Sequence, residues 1–293
     1  MGTLTDRHRK RIKHSTGGDK EKPSRRDWPA AVTAMTAIFA VIFTGISVRQ
    51  AIRQTSLSEQ KQITDRYAAA TSQLGSSDAD ARLGAIYALE RLMRDSPPDQ
   101  STIIQVLSAY VRDHAAPAPA TCPTPRSQFT EKTPLAFDVQ AALSVLGRRY
   151  NASEGKIDIG RVSLVNADLR DAKLIGVDLS RSCMTDAWLL GADMHGSVIN
   201  LSSLDGANLS EANLSEDQIT GSSIKNADLA CVNLQGADLT SSDLSGSRML
   251  GADLRGANLD SASLDGVALF DVKVDSKTRL PFGTRLQKHG YKC

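Results

Sequence analysis

The sequence predicts three structural classes in one chain: an apolar helix able to cross a bilayer, a small α-helical module, and a solenoid of five-residue units. Three observations predict it. Twenty-one residues without a charge run from Trp28 to Val48; apolar residues recur at helical spacing between Ala79 and Arg112; and a large aliphatic residue stands at every fifth position from Ile159 to Leu269. The 293 residues leave room for about two ordinary domains. Although 41% of them are hydrophobic, only 4% are aromatic, so the core must be built from Leu, Ala, Ile and Val.

The basic N-terminal segment, residues 1–27, carries nine Lys/Arg against four Asp/Glu. The run 28–48 that follows is about 30 Å long as a helix, the thickness of a hydrocarbon core, and is read as a single transmembrane helix. A cleaved signal sequence is the competitor, but the run exceeds the usual apolar region of about 7–15 residues and reaches Val48-Arg49 without a small-x-small site. Arg25-Arg26 resembles a twin-arginine export pattern, which Pro29 interrupts. Few basic residues follow the span (Arg49, Arg53, Lys61, Arg66), so the charge bias places the N-terminus in the cytoplasm and the bulk of the chain across the membrane.

Residues 49–114 read as helical. Arg49 to Leu74 continues the span as a polar stalk, and Gly75-Ser76-Ser77-Asp78 breaks it, with Ser77 or Asp78 able to cap the next helix. Ala79 to Arg94 places Leu83, Ile86, Tyr87, Leu89 and Met93 on an apolar face, and Thr102 to Arg112 does the same with Ile103, Val106, Leu107 and Tyr110. Joined by Ser96-Pro97-Pro98-Asp99, the two form an antiparallel hairpin of HEAT-like type. Arg82, Tyr87, Glu90 and Arg91 suggest a polar site, but a solvated helix face with one buried Tyr accounts for them. Residues 115–133 are a Pro-rich extended linker containing Cys122. Within 134–156 a helix from Pro134 to Arg149 is expected to cap the solenoid.

Residues 157–271 form twenty-three units of five. The middle residue, called i here, is always Leu, Ile or Met; position i−2 is Ala, Ser, Val or Ile except at Asp217; and i−1 is most often Asp or Asn. Five matches neither the 3.6 period of a helix nor the period of two of a strand, so each unit is one side of a coil. An inward carboxylate at Asp217 would be costly if isolated, which predicts a local bulge exposing it. Residues 272–293, where Pro281 and Phe282 leave the phase, form a C-terminal cap.

The recurring A(D/N)LXX units, as in Ala167-Asp168-Leu169 and Ala237-Asp238-Leu239, resemble the pentapeptide-repeat family. The stretches ITDRYAAATSQLG, ADARLGAIYALERLMRDSP and IIQVLSAYVRDH resemble the membrane-proximal helical module of bacterial membrane proteins in that family, and DVQAALSVLGRR resembles the segment before their repeats. The resemblance implies a right-handed quadrilateral β-helix with four units per turn, hence five to six turns. It also implies a non-enzymatic scaffold or protein-interaction module. A second implied function, a DNA-mimicking protein that binds and protects topoisomerases, finds support only in the acidic excess of the repeats. Four units per turn stack residues twenty apart, so one face carries Leu190, Ser210, Ala230, Leu250 and Phe270, with Trp188 beside Leu190. Trp188, Leu190, Leu250 and Phe270 are the candidate interaction face.

No catalytic, cofactor-binding or metal-binding set is found. Cys122, Cys183, Cys231 and Cys293 show no CxxC pair and no His at ligand spacing, and they read as free thiols. Free thiols favour a reducing compartment and so conflict with the orientation taken from charge. The expected partners are the membrane, through a single-pass anchor, and a protein of unknown identity, a second copy of the chain included; nucleic acid is not among them.

Overall fold

The computed structural model describes residues 28–125, 135–149 and 156–287, with Gly290 and Cys293. The basic segment 1–27, positions 126–133 of the expected linker and positions 150–155 before the repeats lie outside the described residues. The chain divides into two compact units, Met1–Gln60 and Lys61–Cys293.

Helix α1 (Trp28–Leu74) begins in the first unit and ends in the second. The expected span and its polar continuation are one uninterrupted helix, because neither Gly nor Pro occurs between Gly45 and Gly75. Within α1, Val32–Leu74 is long and apolar enough to cross a membrane, reaching a mean hydropathy of 1.7. Every side chain from Val32 to Gln60 is exposed, Phe39, Val41 and Phe43 among them.

In the second unit α1 buries Ala70 and Leu74 and packs Ile63 and Tyr67 against the core. Helix α2 (Ala79–Asp95) starts at the expected cap: the Asp78 carboxylate accepts the Asp80 N–H at 3.0 Å. Pro97–Asp99 forms a 3₁₀ turn, and α3 (Gln100–His114) follows directly. Helix α4 (Phe137–Gly147) packs on both, so the expected hairpin is completed to three helices around Ile86, Leu89, Ile103, Leu107, Leu143 and Leu146. At roughly 2 kcal/mol for each buried aliphatic side chain, this shared core is what holds helices too short to persist alone.

The polar residues of α2 behave differently from the sequence reading. Tyr87 is exposed, whereas Tyr110 of α3 is the buried tyrosine. Arg82 is not on a solvated face: its Nε donates to Asp138 Oδ2 at 2.8 Å, the Tyr110 hydroxyl donates to the same oxygen at 2.7 Å, and Arg82 Nη1 donates to the Ser76 and Ser77 carbonyls. This cluster ties α2, α3 and α4 together. Although burial of Asp138 opposes ionisation, the hydrogen bonds from Tyr110 and Arg82 hold its carboxyl below the usual range.

In the solenoid, residues twenty apart pair as parallel bridges, from Asp158 with Asp178 through Ser163 with Cys183 to Asp253 with Lys273. Each coil is therefore four five-residue sides. Between sides the N–H of the next i−2 residue returns to the carbonyl of i, as in Ala167 to Leu164 at 3.0 Å, and the i+2 residue adopts a left-handed φ, as at Asn166 and Gly176. Leu and Met at i are buried throughout the middle of the stack, with Ala or Ser at i−2 beside them. Ser182, Ser202, Ser222 and Ser242 stack at i−2 on one side, the hydroxyl of each of the last three accepting the amide of the serine twenty residues before it.

Asp217 occupies such a place, and the expected bulge is absent. Its side chain is 1% exposed, and its Oδ1 accepts the Ser197 amide at 2.8 Å, just as the stacked serines accept theirs. The coil stays regular because a carboxyl oxygen can replace a hydroxyl oxygen as the acceptor. Burial pushes the Asp217 carboxyl up to about 8, with the Asp193 carboxylate adding to the rise and the Ser197 and Gly196 amides opposing it.

The cysteines are not free thiols. Cys122 pairs with Cys183 and Cys231 with Cys293, and no cysteine remains unpaired. Spacing along the chain could not show this, since the solenoid brings together residues separated by 61 and 62 positions.

The Pro-rich stretch is extended, as expected, but its described part is docked rather than free. Pro117 bridges antiparallel to Val162, the Ala118 N–H donates to the Arg161 carbonyl at 2.9 Å, and the Pro123 carbonyl accepts the Thr185 hydroxyl at 3.0 Å. At the C-terminal end, bridging continues beyond Asp271 with slipped spacing: Arg279 pairs with Asn258 and Gln287 with Phe270.

Candidate interaction face

The candidate face is the side of the solenoid whose sequential i residues are Leu169, Leu189, Leu209, Leu229, Met249 and Leu269, all buried. Their neighbours at i−1 and i+1 point outward by the alternation of extended backbone. In one unit this puts Trp188 and Leu190 on the surface around inward Leu189, at 44% and 37% exposure.

The surroundings of the pair are polar and held in place. Arg170, one coil before Leu190, sets its guanidinium 5.1 Å from the centroid of the Trp188 ring. Asp168 fixes that guanidinium through Arg170 Nε at 2.8 Å and Nη2 at 2.6 Å, and the Arg170 hydrogen bond lowers the Asp168 carboxyl below its ordinary range. Gln140 of α4 clamps the same residue by its backbone, donating to the Asp168 carbonyl at 2.7 Å and accepting the Asp168 N–H at 3.0 Å. A shallow depression between α4 and this side is lined by Leu143, Gly147, Arg148, Leu169, Arg170 and Leu190. Its floor depends on Gly147: the Lys173 N–H donates to the Gly147 carbonyl at 2.8 Å, and a Cβ on Gly147 would lie 2.8 Å from Ala172 Cβ.

The rest of the predicted stripe is not continuous with this pair. Asn208 and Ser210 follow on the next coil, Ala230 is buried, and Leu250 and Phe270 are half-buried. Beside them runs the C-terminal segment: Gln287 N–H donates to the Leu269 carbonyl at 3.1 Å, Asp271 N–H donates to the Gln287 carbonyl at 2.8 Å, and Cys293 lies 3.4 Å from the Gly251 carbonyl. The structure thus brings Trp188 and Leu190 together and sets Leu250 and Phe270 in the neighbourhood of the tail. The clamp by Gln140 and the cation above Trp188 were not read from the sequence; Arg two residues after Asp in Asp168-Leu169-Arg170, recurring in Asp253-Leu254-Arg255, is the signal that could have found the cation.

The profile of pentapeptide repeats matches in eight copies, over residues 158–189, 184–215, 219–246 and 237–273. Residues 158–273 are pentapeptide repeats. The matches leave out 216–218, around Asp217. Three solved pentapeptide-repeat proteins are similar to the chain. Rfr23 from the cyanobacterium Cyanothece 51142 is 33% identical over 35% of this chain and 63% of its own, with a TM-score of 0.21. HetL, a pentapeptide-repeat protein involved in heterocyst differentiation regulation in Nostoc sp. strain PCC 7120, is 27% identical over 41% of this chain and 65% of its own, with a TM-score of 0.27. The protein alr5209 from Nostoc PCC 7120 is 33% identical over 38% of this chain and 84% of its own, with a TM-score of 0.16. The chain spans just under two thirds of the length of Rfr23 and HetL. No curated protein matches it.

Proposed function

We propose that this pentapeptide-repeat protein is a non-enzymatic, membrane-anchored scaffold whose right-handed, four-sided β-helix presents Trp188 and Leu190 to a protein partner. The observation that carries the reading is that pair: two outward apolar side chains in one unit, beside a shallow depression, on a largely polar surface where Leu201 is exposed singly. A packed aliphatic interior leaves no room for a substrate, so recognition falls to the outer faces. Anchoring is supported by α1, whose apolar side chains from Val32 to Val48 are exposed and whose length and hydropathy suit a bilayer. The charge bias around it supports a cytoplasmic N-terminus.

The acidic excess gives little support to DNA mimicry. Asp168, Asp228, Asp243 and Asp253 are paired with Arg170, Arg248, Lys225 and Arg255 respectively, which neutralises part of that excess.

Two measurements on membranes from expressing cells test the reading. Deleting residues 1–48 is expected to release the chain into the soluble fraction; a truncated chain that still sediments with lipid refutes the anchor. Changing Trp188, Leu190 and Leu250 together to Ser is expected to abolish crosslinks made by the full chain while leaving its melting unchanged. Undiminished crosslinking by the folded triple variant removes this face from consideration.

A further inference from the structure

Four cysteines, all paired, sit at the two flanks of one stack, and the proposed scaffold role does not use them. Cys183 is buried at an i−1 position whose stacked neighbours, Ser163 and Ser203, are serines. Its partner Cys122 belongs to the docked Pro-rich segment, which otherwise holds to the coils through the Ala118 and Ser163 amides, the Pro123 carbonyl and the approach of Pro125 to Gly206. Cys231 occupies a left-handed corner position, and its partner is the last residue of the chain. Each disulfide therefore joins a repeat coil to a non-repeat segment, and none joins coil to coil. Both segments lie against coils that are themselves paired on each side, and a segment held to a stack from outside by scattered hydrogen bonds opens more easily than the coils it covers.

We propose that these disulfides are staples for the two flanking segments, formed by a dithiol–disulfide oxidant on the non-cytoplasmic side of the membrane, so that the repeat unit is a client of extracytoplasmic thiol oxidation. The compartment follows from chemistry that the charge bias does not enter: cytosolic reductants keep such thiols reduced. In each pair one thiolate attacks the oxidant's disulfide, forming a mixed disulfide and releasing one oxidant thiolate; the second cysteine thiolate then displaces the other oxidant sulfur. The chain loses two electrons and two protons per disulfide, and the oxidant leaves as its dithiol. The proposal rests on the anchored, translocated reading for its membrane geometry, but not for the pairing itself.

The test blocks free thiols with N-ethylmaleimide in intact cells expressing the full chain, then denatures, reduces and counts the newly exposed thiols with a mass-tagged maleimide. Four tags per chain are expected, falling to two for the Cys122→Ser/Cys183→Ser double variant, with non-reducing peptide maps showing Cys122–Cys183 and Cys231–Cys293. Growth with dithiothreitol, or in a host lacking its thiol oxidase, is expected to reduce the count to zero. Four thiols already blocked in untreated cells, or a map pairing Cys183 with Cys231, overturns the proposal. Carbonate extraction of the same cells separates the two readings: a membrane-bound chain with free thiols refutes the oxidation alone, whereas an extracted but oxidised chain refutes the anchor alone. For the staple role, hydrogen exchange at the Ala118 and Ser163 amides is expected to quicken by about tenfold or more in the double variant, with Asp228 unchanged. Unaltered exchange at both amides overturns it.

Discussion

Asp217 makes the stability of this protein depend on pH in the direction opposite to that of a salt-bridged carboxylate. Replacing it by Ser, the residue found twenty positions earlier at Ser197, tests this. In the unfolded chain the carboxyl ionises near its ordinary 3.8, whereas burial raises it to about 8 in the folded coil. Between those values the folded state holds a proton that the unfolded state has released, so stability falls as pH rises, by about 1.4 kcal/mol for each pH unit. The cost is absent below pH 4, reaches about 4 kcal/mol at pH 7, and stops growing above about pH 8. A Ser hydroxyl at this place can accept the Ser197 amide, as Ser197 itself accepts the Val177 amide at 3.2 Å. Asp217→Ser is therefore expected to raise the Tm by about 10 °C at pH 7, at roughly 2–4 °C per kcal/mol for a unit of this size. The assay is thermal unfolding of the full chain in detergent at pH 4, 5.5, 7 and 8.5. An equal gain at pH 4 and pH 7 would refute the reasoning, because a cavity or packing effect would not titrate.

Other substitutions probe the remaining contacts. Leu229→Asp puts an unpartnered carboxylate at a fully buried position and is expected to unfold adjacent coils, while Asp228→Ala removes a half-exposed pair with Arg248 and the acceptor of the Ala230 N–H and should cost far less; equal losses in thermal melts would contradict the assigned inward phase. Arg82→Met leaves Asp138 without its cation and is expected to lower the Tm at neutral pH; because the Asp138 carboxyl is held low in the folded chain, the wild-type advantage should be present at neutral pH and fade as the pH falls below the ordinary carboxylate range, and a difference independent of pH would count against the ion pair. Gly147→Ala drives a methyl group into Ala172 and should lower the Tm while leaving helix content by circular dichroism unchanged; an unaltered Tm would show that α4 does not bear on the first coils.

The repeats were legible because their information is local and redundant. A Leu, Ile or Met every five residues, most often with Ala or Ser two before it, states both the side length and the inward face, whatever the rest of the chain does, and Ser77-Asp78 before Ala79 states a helix start in the same way. The uncharged run before Arg49 likewise needs no neighbour to be read, since length and polarity alone decide whether a helix matches a bilayer. What depended on neighbours was misread or missed. Cys122 and Cys183 look solitary along the chain and become partners only when a docked segment meets a coil. Asp138 carries no mark in its helix that Arg82 and Tyr110 will converge on it. Asp217 breaks the inward pattern by residue type, yet the stacked coil supplies an amide twenty residues away that a carboxyl can satisfy, so the backbone does not bulge. Periodicity thus determined the fold, because every coil repeats one local rule, and tertiary contact alone decided the disulfides, the buried ion cluster and the protonation of Asp217, because each depends on atoms that sequence order keeps apart.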